Sequence, residues 1–492
     1  MFSRLYNHNL IFFTNYIFII LLSLHIFFWI SLQFIGIKIN YEGINLLSPK
    51  IAIFFVFSYY LINNYKSFVK NNSNIIIIFF FLLIHLLINF NNFFFIEKKL
   101  LQFLMIFSIF VVCNNYYSFI IKNLEKIIFF FIVILLSSFT FDFLSGDFFN
   151  KLKERKLLIY LFIFSENSHI AISIIPVIFY LIFNNHQFSY SGLLGLVITF
   201  ISGFLFYSTT LVAGFFLMIL FSLIFCFNIF LKRLILIIIL ILSFLSALWL
   251  SKHYNINERH ILNDNKIIVM LSTIDQIYEY NSNKNYEYNS NKNEDKHTIV
   301  YLTSCKEQLD YKNYLHKIKN EKKNIRDFFI ENYNCLPQRI SENYLENIFN
   351  PMKDLTIYVF INAAQVAFFS TIEKFYGYGM NNYESGFAKQ MLHNIIPVYK
   401  EVYILNYNDG SSNLFKLITE FGIFSIFFFY ILLKFALSDK ISIQNKLFFI
   451  SIILVQLGRG AGYINGGFAF SCAVIFTHFC YNTNIHYFKK NS

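Results

Sequence analysis

The sequence predicts an all-α fold: a polytopic integral membrane helical bundle of about twelve spanning helices, with one large external loop between the ninth and the tenth. Three observations carry this reading. Apolar residues make up 57% of the 492 positions and charged residues only 14%, against about a quarter in soluble domains. The mean hydropathy is +0.53. Apolar runs recur along the chain, many near the roughly 20 residues that a helix needs to cross a bilayer. The formal net charge of +12 fits basic loops between spans and favours anionic lipids or an anionic substrate; no nucleic-acid-binding signature accompanies it.

Nine apolar runs precede residue 252, at about 10–36, 51–65, 74–96, 100–121, 127–145, 157–183, 188–207, 209–231 and 233–251. The first follows Arg4 with no small-residue cleavage site after it, so it reads as a retained helix and not a cleaved signal peptide. Three more runs lie at about 413–436, 446–458 and 468–482. The chain thus divides into spans one to nine (1–251), a large loop (252–412), and spans ten to twelve with a tail (413–492). With both termini inside, the Lys/Arg bias between the two sides is slight, chiefly because NKLKERK at 150–156 falls outside; it reads as a solvated loop, the alternatives being charges kept outside to hold an anionic headgroup or a different topology there.

The loop has two characters. YEYNSNKN occurs twice in tandem, at 278–285 and 286–293, and such a polar stretch has little apolar surface to bury, so 275–296 is expected to be flexible. Further on, LTIYVFINAAQVAFFSTI at 355–372 places Asn362 and Gln365 on one face of an apolar helix. It reads as an amphipathic helix lying at the membrane surface; the alternative is a thirteenth span. Cys305 and Cys335 are the loop's two cysteines, and either a disulfide or two free thiols fits an external loop. No metal-ligand spacing such as CxxC or HExxH occurs, and no cofactor is called for.

Four constellations could carry chemistry. In NDGSSNLFKLITEFG, a polar turn meets an apolar wall at 408–422. Ser411 or Ser412 can cap the helix that follows, and its first N–H groups then form a generic anion site. Asn413, Lys416 and Glu420 share one face, and Lys416 can pair with Glu420 one turn on. In FSENSHIAISIIP, Glu166 and His169 lie one turn apart inside an apolar run, where ionisable groups usually face a functional cavity, and Pro176 should kink the helix. In LGRGAGYINGGF, Arg459 sits among five glycines, an irregular segment in which a guanidinium could grip a phosphate bidentately. In MLHNIIPVYK, His393 precedes Asn394 and is a candidate general base. Arg326 and Arg339 are further loop cations.

Taken in order, the large loop after the ninth span, SENSHIAISIIP at 165–176, the stretch ending GYGMNN at 382, the N-L-x-K-L-x-x-E-x-G run and RGAGYINGGF at 459–468 resemble the bacterial O-antigen polymerase and ligase superfamily. These are inner-membrane glycosyltransferases. The resemblance implies a periplasmic loop, transfer of a growing glycan from undecaprenyl diphosphate onto a new lipid-linked repeat unit, and no need for a nucleotide sugar. It also implies a chain-length regulator protein as partner, alongside membrane lipid and the lipid-linked oligosaccharide. Ligases open the helix after the loop with His-Asn, whereas this chain has Ser412-Asn413 there, and its His393-Asn394 lies earlier. The pattern is therefore more similar to the polymerase branch. Within it, Arg459, Lys416, Asn413, Arg339 and Arg326 are expected to hold substrate, and His393, Glu420, Glu166 and His169 are the candidates for catalysis. A ligase acting on lipid A-core is the near alternative. A flippase for lipid-linked oligosaccharide is the alternative of another class, though it has no evident need for so large a loop.

Overall fold

The fold is given by a computed structural model that describes residues 2–28, 40–41, 44–45, 49–89, 96–154, 157, 164, 167–184, 190–253, 355–391, 410–460 and 462–482. The described residues are mostly helical, with turns between the helices and a short antiparallel ladder, β1 (Asn40–Tyr41) with β2 (Ile44–Asn45). In chain order the helices are α1 (Phe2–Phe27), α2 (Ala52–Asn64), α3 (Phe68–Asn71), α4 (Ser73–Ile88), α5 (Ile96–Leu144), α6 (Phe148–Lys153), α7 (Asn167–Ile182), α8 (Tyr190–Leu205), α9 (Thr209–Phe225), α10 (Phe227–Lys232), α11 (Leu234–His253), α12 (Leu355–Glu373), α13 (Tyr383–Met391), α14 (Asn413–Phe421), α15 (Ser425–Ala436), α16 (Ile443–Gly458) and α17 (Phe468–Asn482). Among the described residues three helices are long and apolar enough to cross a membrane, or four if a bent pair is one span, and six shorter apolar helices accompany them.

The chain forms two compact units: Met1–Leu83, Glu97–Ile261 and Ile426–Ser492 in the first, Ile84–Ile96 and Leu262–Ser425 in the second. The first unit is centred on α7 and α16, which pack on each other and are buried along almost their whole length. A helix apolar on every side belongs at the middle of a bundle. α8 and α9 pack against α7, and α11 closes on α8. α11 turns Ile235, Leu242 and Trp249, seven residues apart, outward as an exposed apolar seam. α9 approaches the centre over Gly214, where an added Cβ would stand 2.7 Å from Ile175 Cδ1 and 3.0 Å from Val455 Cγ2. Such close approach is the use of small residues between membrane helices. Gly214→Val is expected to overpack this three-helix contact by about 1–3 kcal/mol and to lower the apparent melting temperature of the detergent-solubilised protein, read by fluorescence-detected size exclusion after heating.

Several expected spans match helices closely: 188–207 is α8, 233–251 is α11, 468–482 is α17. Others differ. The spans expected at 100–121 and 127–145 belong to one helical run of 49 residues, interrupted only where Tyr116 leaves helical geometry (φ −107°, ψ 18°). The reason is local: 96–144 holds neither glycine nor proline, and the charged stretch KNLEK read as a loop is made of residues a helix accepts. The spans expected at 51–65 and 74–96 become Ala52–Asn71 and Ser73–Ile88, bent at 79°. The loop expected at 150–156 is partly helical, since α6 runs to Lys153. α7 continues through Pro176 to Ile182. The expected span at 413–436 is itself one of the three stretches long and apolar enough to cross a membrane; within it α14 passes into α15 through Gly422 (φ +53°) and a 3-10 turn.

The 79° bend has a polar anchor. Asn72, 1% exposed, uses its whole side chain. Its amide donates to Tyr60 Oη (3.1 Å) and to the Phe68 carbonyl (2.9 Å). Its Oδ1 accepts from Asn114 (3.1 Å) and Asn115 (2.6 Å), the residues just before the Tyr116 break in α5. Two helix breaks thus meet at one amide whose donors and acceptor lone pairs are all engaged.

The second unit gathers α12, α13, α14 and the end of α4 around the turn at 374–382. α12 packs on both α13 and α14, with Phe360 and Phe415 edge to face at 4.8 Å. The helix expected at 355–372 is present as α12; it buries Asn362 and turns Phe368 and Ile372 outward.

Candidate functional site

The polar turn and helix at 410–422 form the organising centre of the second unit. Gly410 and Ser411 take left-handed backbone (φ +67° and +57°), which turns the chain sharply. Gly410 packs under the Tyr383 ring, where a Cβ would come within 2.7 Å. Ser412 then caps α14, its hydroxyl accepting from Phe415 N–H at 3.5 Å. Asn413, Lys416 and Glu420 all lie on the buried face, as the spacing predicts. Lys416 Nζ stands 3.8 Å from Glu420 Oε1.

Glu420 does more than balance a charge. Its Oε2 accepts from Asn381 N–H at 2.8 Å and its Oε1 from Tyr383 N–H at 3.1 Å, the latter being the first residue of α13. In return the turn caps α14. Tyr378 N–H donates to the Thr419 carbonyl (3.0 Å) and Gly379 N–H to the Glu420 carbonyl (2.9 Å), groups a helix end would leave without partners. Ile423 N–H donates to the Phe375 carbonyl at 2.8 Å. Gly377, Gly379, Asn381 and Gly422 have positive φ (+81°, +97°, +57° and +53°), and a Cβ on Gly377 would strike the Glu420 carbonyl. The two segments are therefore locked reciprocally, side chain to backbone one way and backbone to backbone the other.

Around this lock lies a belt of ionised and amide groups. Glu373 accepts from Tyr378 Oη (2.9 Å) and Gln390 Nε2 (2.8 Å) and pairs with Lys389. Lys374 donates to Asn89 Oδ1 and lies over the Tyr376 and Tyr378 rings, 5.1 and 5.0 Å from their centroids. Burial draws Lys374 and Lys389 below the ordinary lysine value. His85 Nε2 donates to the Tyr376 carbonyl at 2.8 Å, and its ring stacks on Phe421.

In the first unit, Arg459 ends α16 half-exposed, its N–H donating to the Val455 carbonyl at 2.9 Å. The glycine-rich segment after it folds back. Gln456 Nε2 donates to the Gly466 carbonyl (2.7 Å), and Gly467, at φ +75°, lies against Ile26 of α1. Beside Ile26 is a cation that sequence reasoning missed. Lys50, 3% exposed, donates to the His25 carbonyl at 2.8 Å, and its own carbonyl lies 2.9 Å from His25 Nδ1. Burial pushes the Lys50 ammonium down to about 7. Only the charge and the neighbouring Pro49 hinted at it in the sequence; its burial is tertiary.

Of the remaining expected residues, His169 lies half-exposed in the first turn of α7, next to Asn167, whose amide donates to the Tyr207 carbonyl at 3.0 Å. Glu166, Arg326, Arg339, His393, Cys305, Cys335 and the tandem repeat lie outside the described residues. The structure brings Asn413, Lys416 and Glu420 together in the second unit, while Arg459 and His169 belong to the first. Comparison with known protein families, with curated proteins and with solved structures finds no match to this chain.

Proposed function

We propose that this chain is an O-antigen polymerase, a polytopic glycosyltransferase of the bacterial inner membrane. It would move a growing glycan from undecaprenyl diphosphate onto the non-reducing end of a new lipid-linked repeat unit. The observation that carries the reading is the build of residues 410–422. The stretch bearing the resemblance is a locked, capped and charged module with its polar face turned into protein.

In the reaction the acceptor hydroxyl oxygen bonds to the anomeric carbon as the carbon–diphosphate oxygen bond breaks. The hydroxyl proton passes to a base, and negative charge grows on the leaving diphosphate. Fixed cations stabilise that charge. Candidates for this role are Arg459 in the first unit and the loop cations Arg339 and Arg326; Asn413 and Lys416, expected as substrate contacts, are buried at 0% and 6% exposure, and Lys416 pairs with Glu420 in building the module. Glu420 has both carboxylate oxygens engaged by backbone N–H groups, so it serves as a positioning residue. The base is then sought among His169, Glu166 and His393.

The test is deletion of the gene in its host, with lipopolysaccharide resolved on a gel. Lipid A-core capped by a single repeat unit is the expected result. Bare core with long glycan still on undecaprenyl diphosphate would make the protein a ligase. Bare core with single units stranded inside would make it a flippase. An unchanged ladder would sink all three.

A further inference from the structure

A second site lies in the first unit, away from every residue used above. The end of α15, the turn to α16 and the last turn of α17 border a half-open cavity of about 390 Å³. That is within the size range of small-molecule sites. Its wall is built around His478, 5% exposed and fixed at both ring nitrogens: Tyr117 Oη at 2.7 Å from Nδ1, Ser438 Oγ at 2.8 Å and Asn482 Nδ2 at 2.6 Å from Nε2. Two lysines, Lys434 and Lys440, line the cavity against a single carboxylate, Asp439. The Lys434 ammonium lies 5.6 Å from the centroid of the Tyr430 ring. Leading to the mouth is an apolar strip on one face of α15: Ile426, Tyr430, Leu433 and Leu437, 47–63% exposed.

We infer that this cavity binds a phosphate-bearing headgroup, with acyl chains lying along the α15 strip. The chemistry fits on each count. Lysines are point-charge phosphate binders, Ser438 and Asn482 supply neutral hydrogen-bonding groups, and the excess of cation over anion leaves room for one negative charge. Tyr430 belongs both to the apolar strip and to the cavity wall, so apolar surface adjoins the charged lining, which suits an amphiphile.

The experiment is native mass spectrometry of the full-length protein in neutral detergent, titrated with phosphatidylglycerol, with diacylglycerol as the phosphate-free control and inorganic phosphate as the chain-free one. The double variant Lys434→Ala/Lys440→Ala is expected to bind phosphatidylglycerol about tenfold more weakly, a loss of about 1.4 kcal/mol. Its diacylglycerol binding should be unchanged. Both lysines are exposed, so the variant should fold, and Lys434→Arg/Lys440→Arg should restore binding. Inorganic phosphate that binds the wild type through the same lysines, with no gain from acyl chains, would support the phosphate site and make its source soluble. Phosphatidylglycerol affinity within twofold of wild type in the alanine variant would overturn the inference.

Discussion

Glu420→Ala is expected to remove about 3–5 kcal/mol of stability, the range for breaking one side of a buried ion pair. Three groups lose the Glu420 carboxylate at once: the Asn381 and Tyr383 N–H donors and the Lys416 ammonium. The detergent-solubilised protein should aggregate at a markedly lower temperature and accumulate poorly. Lys416→Met should do much less, because the carboxylate keeps both backbone donors. Gly377→Ala should resemble Glu420→Ala although no charge is touched, since its Cβ meets the Glu420 carbonyl in a left-handed conformation that alanine disfavours. Thermal aggregation curves of the three variants decide the matter. A fully stable Glu420→Ala protein without activity would restore that carboxylate as a candidate base.

Arg459→Ala should abolish long glycan chains while leaving the protein at normal level. The side chain is half-exposed at the end of α16, and the segment after it is held by backbone contacts and by Gln456. Loss of one fixed cation that meets developing charge is worth about 10²–10³ in rate. Lysine in its place would keep the charge but lose the bidentate fork, and should recover only part of the activity. The measurement is the lipopolysaccharide ladder of a deletion strain carrying each variant, with membrane protein quantified alongside. Long chains made by the alanine variant would end the role assigned to Arg459.

Much of the helical plan was legible because membrane helices announce themselves by composition. Runs such as LILIIILILSFLSALWL at 234–250 have no competing reading. The capped start of α14 was legible too, since Ser412, Asn413, Lys416 and Glu420 lie within three turns and their relations are fixed by helical spacing. What Glu420 holds was not. Its partners lie 39 and 37 positions earlier, in a turn whose glycines have meaning only once the two segments meet. Lys50 was missed for the same kind of reason: a lysine after a proline reads as a loop residue until α1 is packed against it. The joined run of α5 was missed for an opposite reason. A charged pentad was taken as a boundary although nothing in it stops a helix.

The amide of Asn72 also bears on how the chain is made. Both partners of its Oδ1, Asn114 and Asn115, come 42 and 43 residues later in the sequence. While the segment from Ala52 to Ile88 is being threaded into the membrane, that oxygen has neither of them. Until they arrive, water or lipid headgroups at this polar connection between two expected spans have to serve it. The early part of the chain therefore has reason to stay mobile at this joint until α5 arrives. On this arrangement the full set of bonds at the 79° bend is complete only once a helix synthesised afterwards has packed against it.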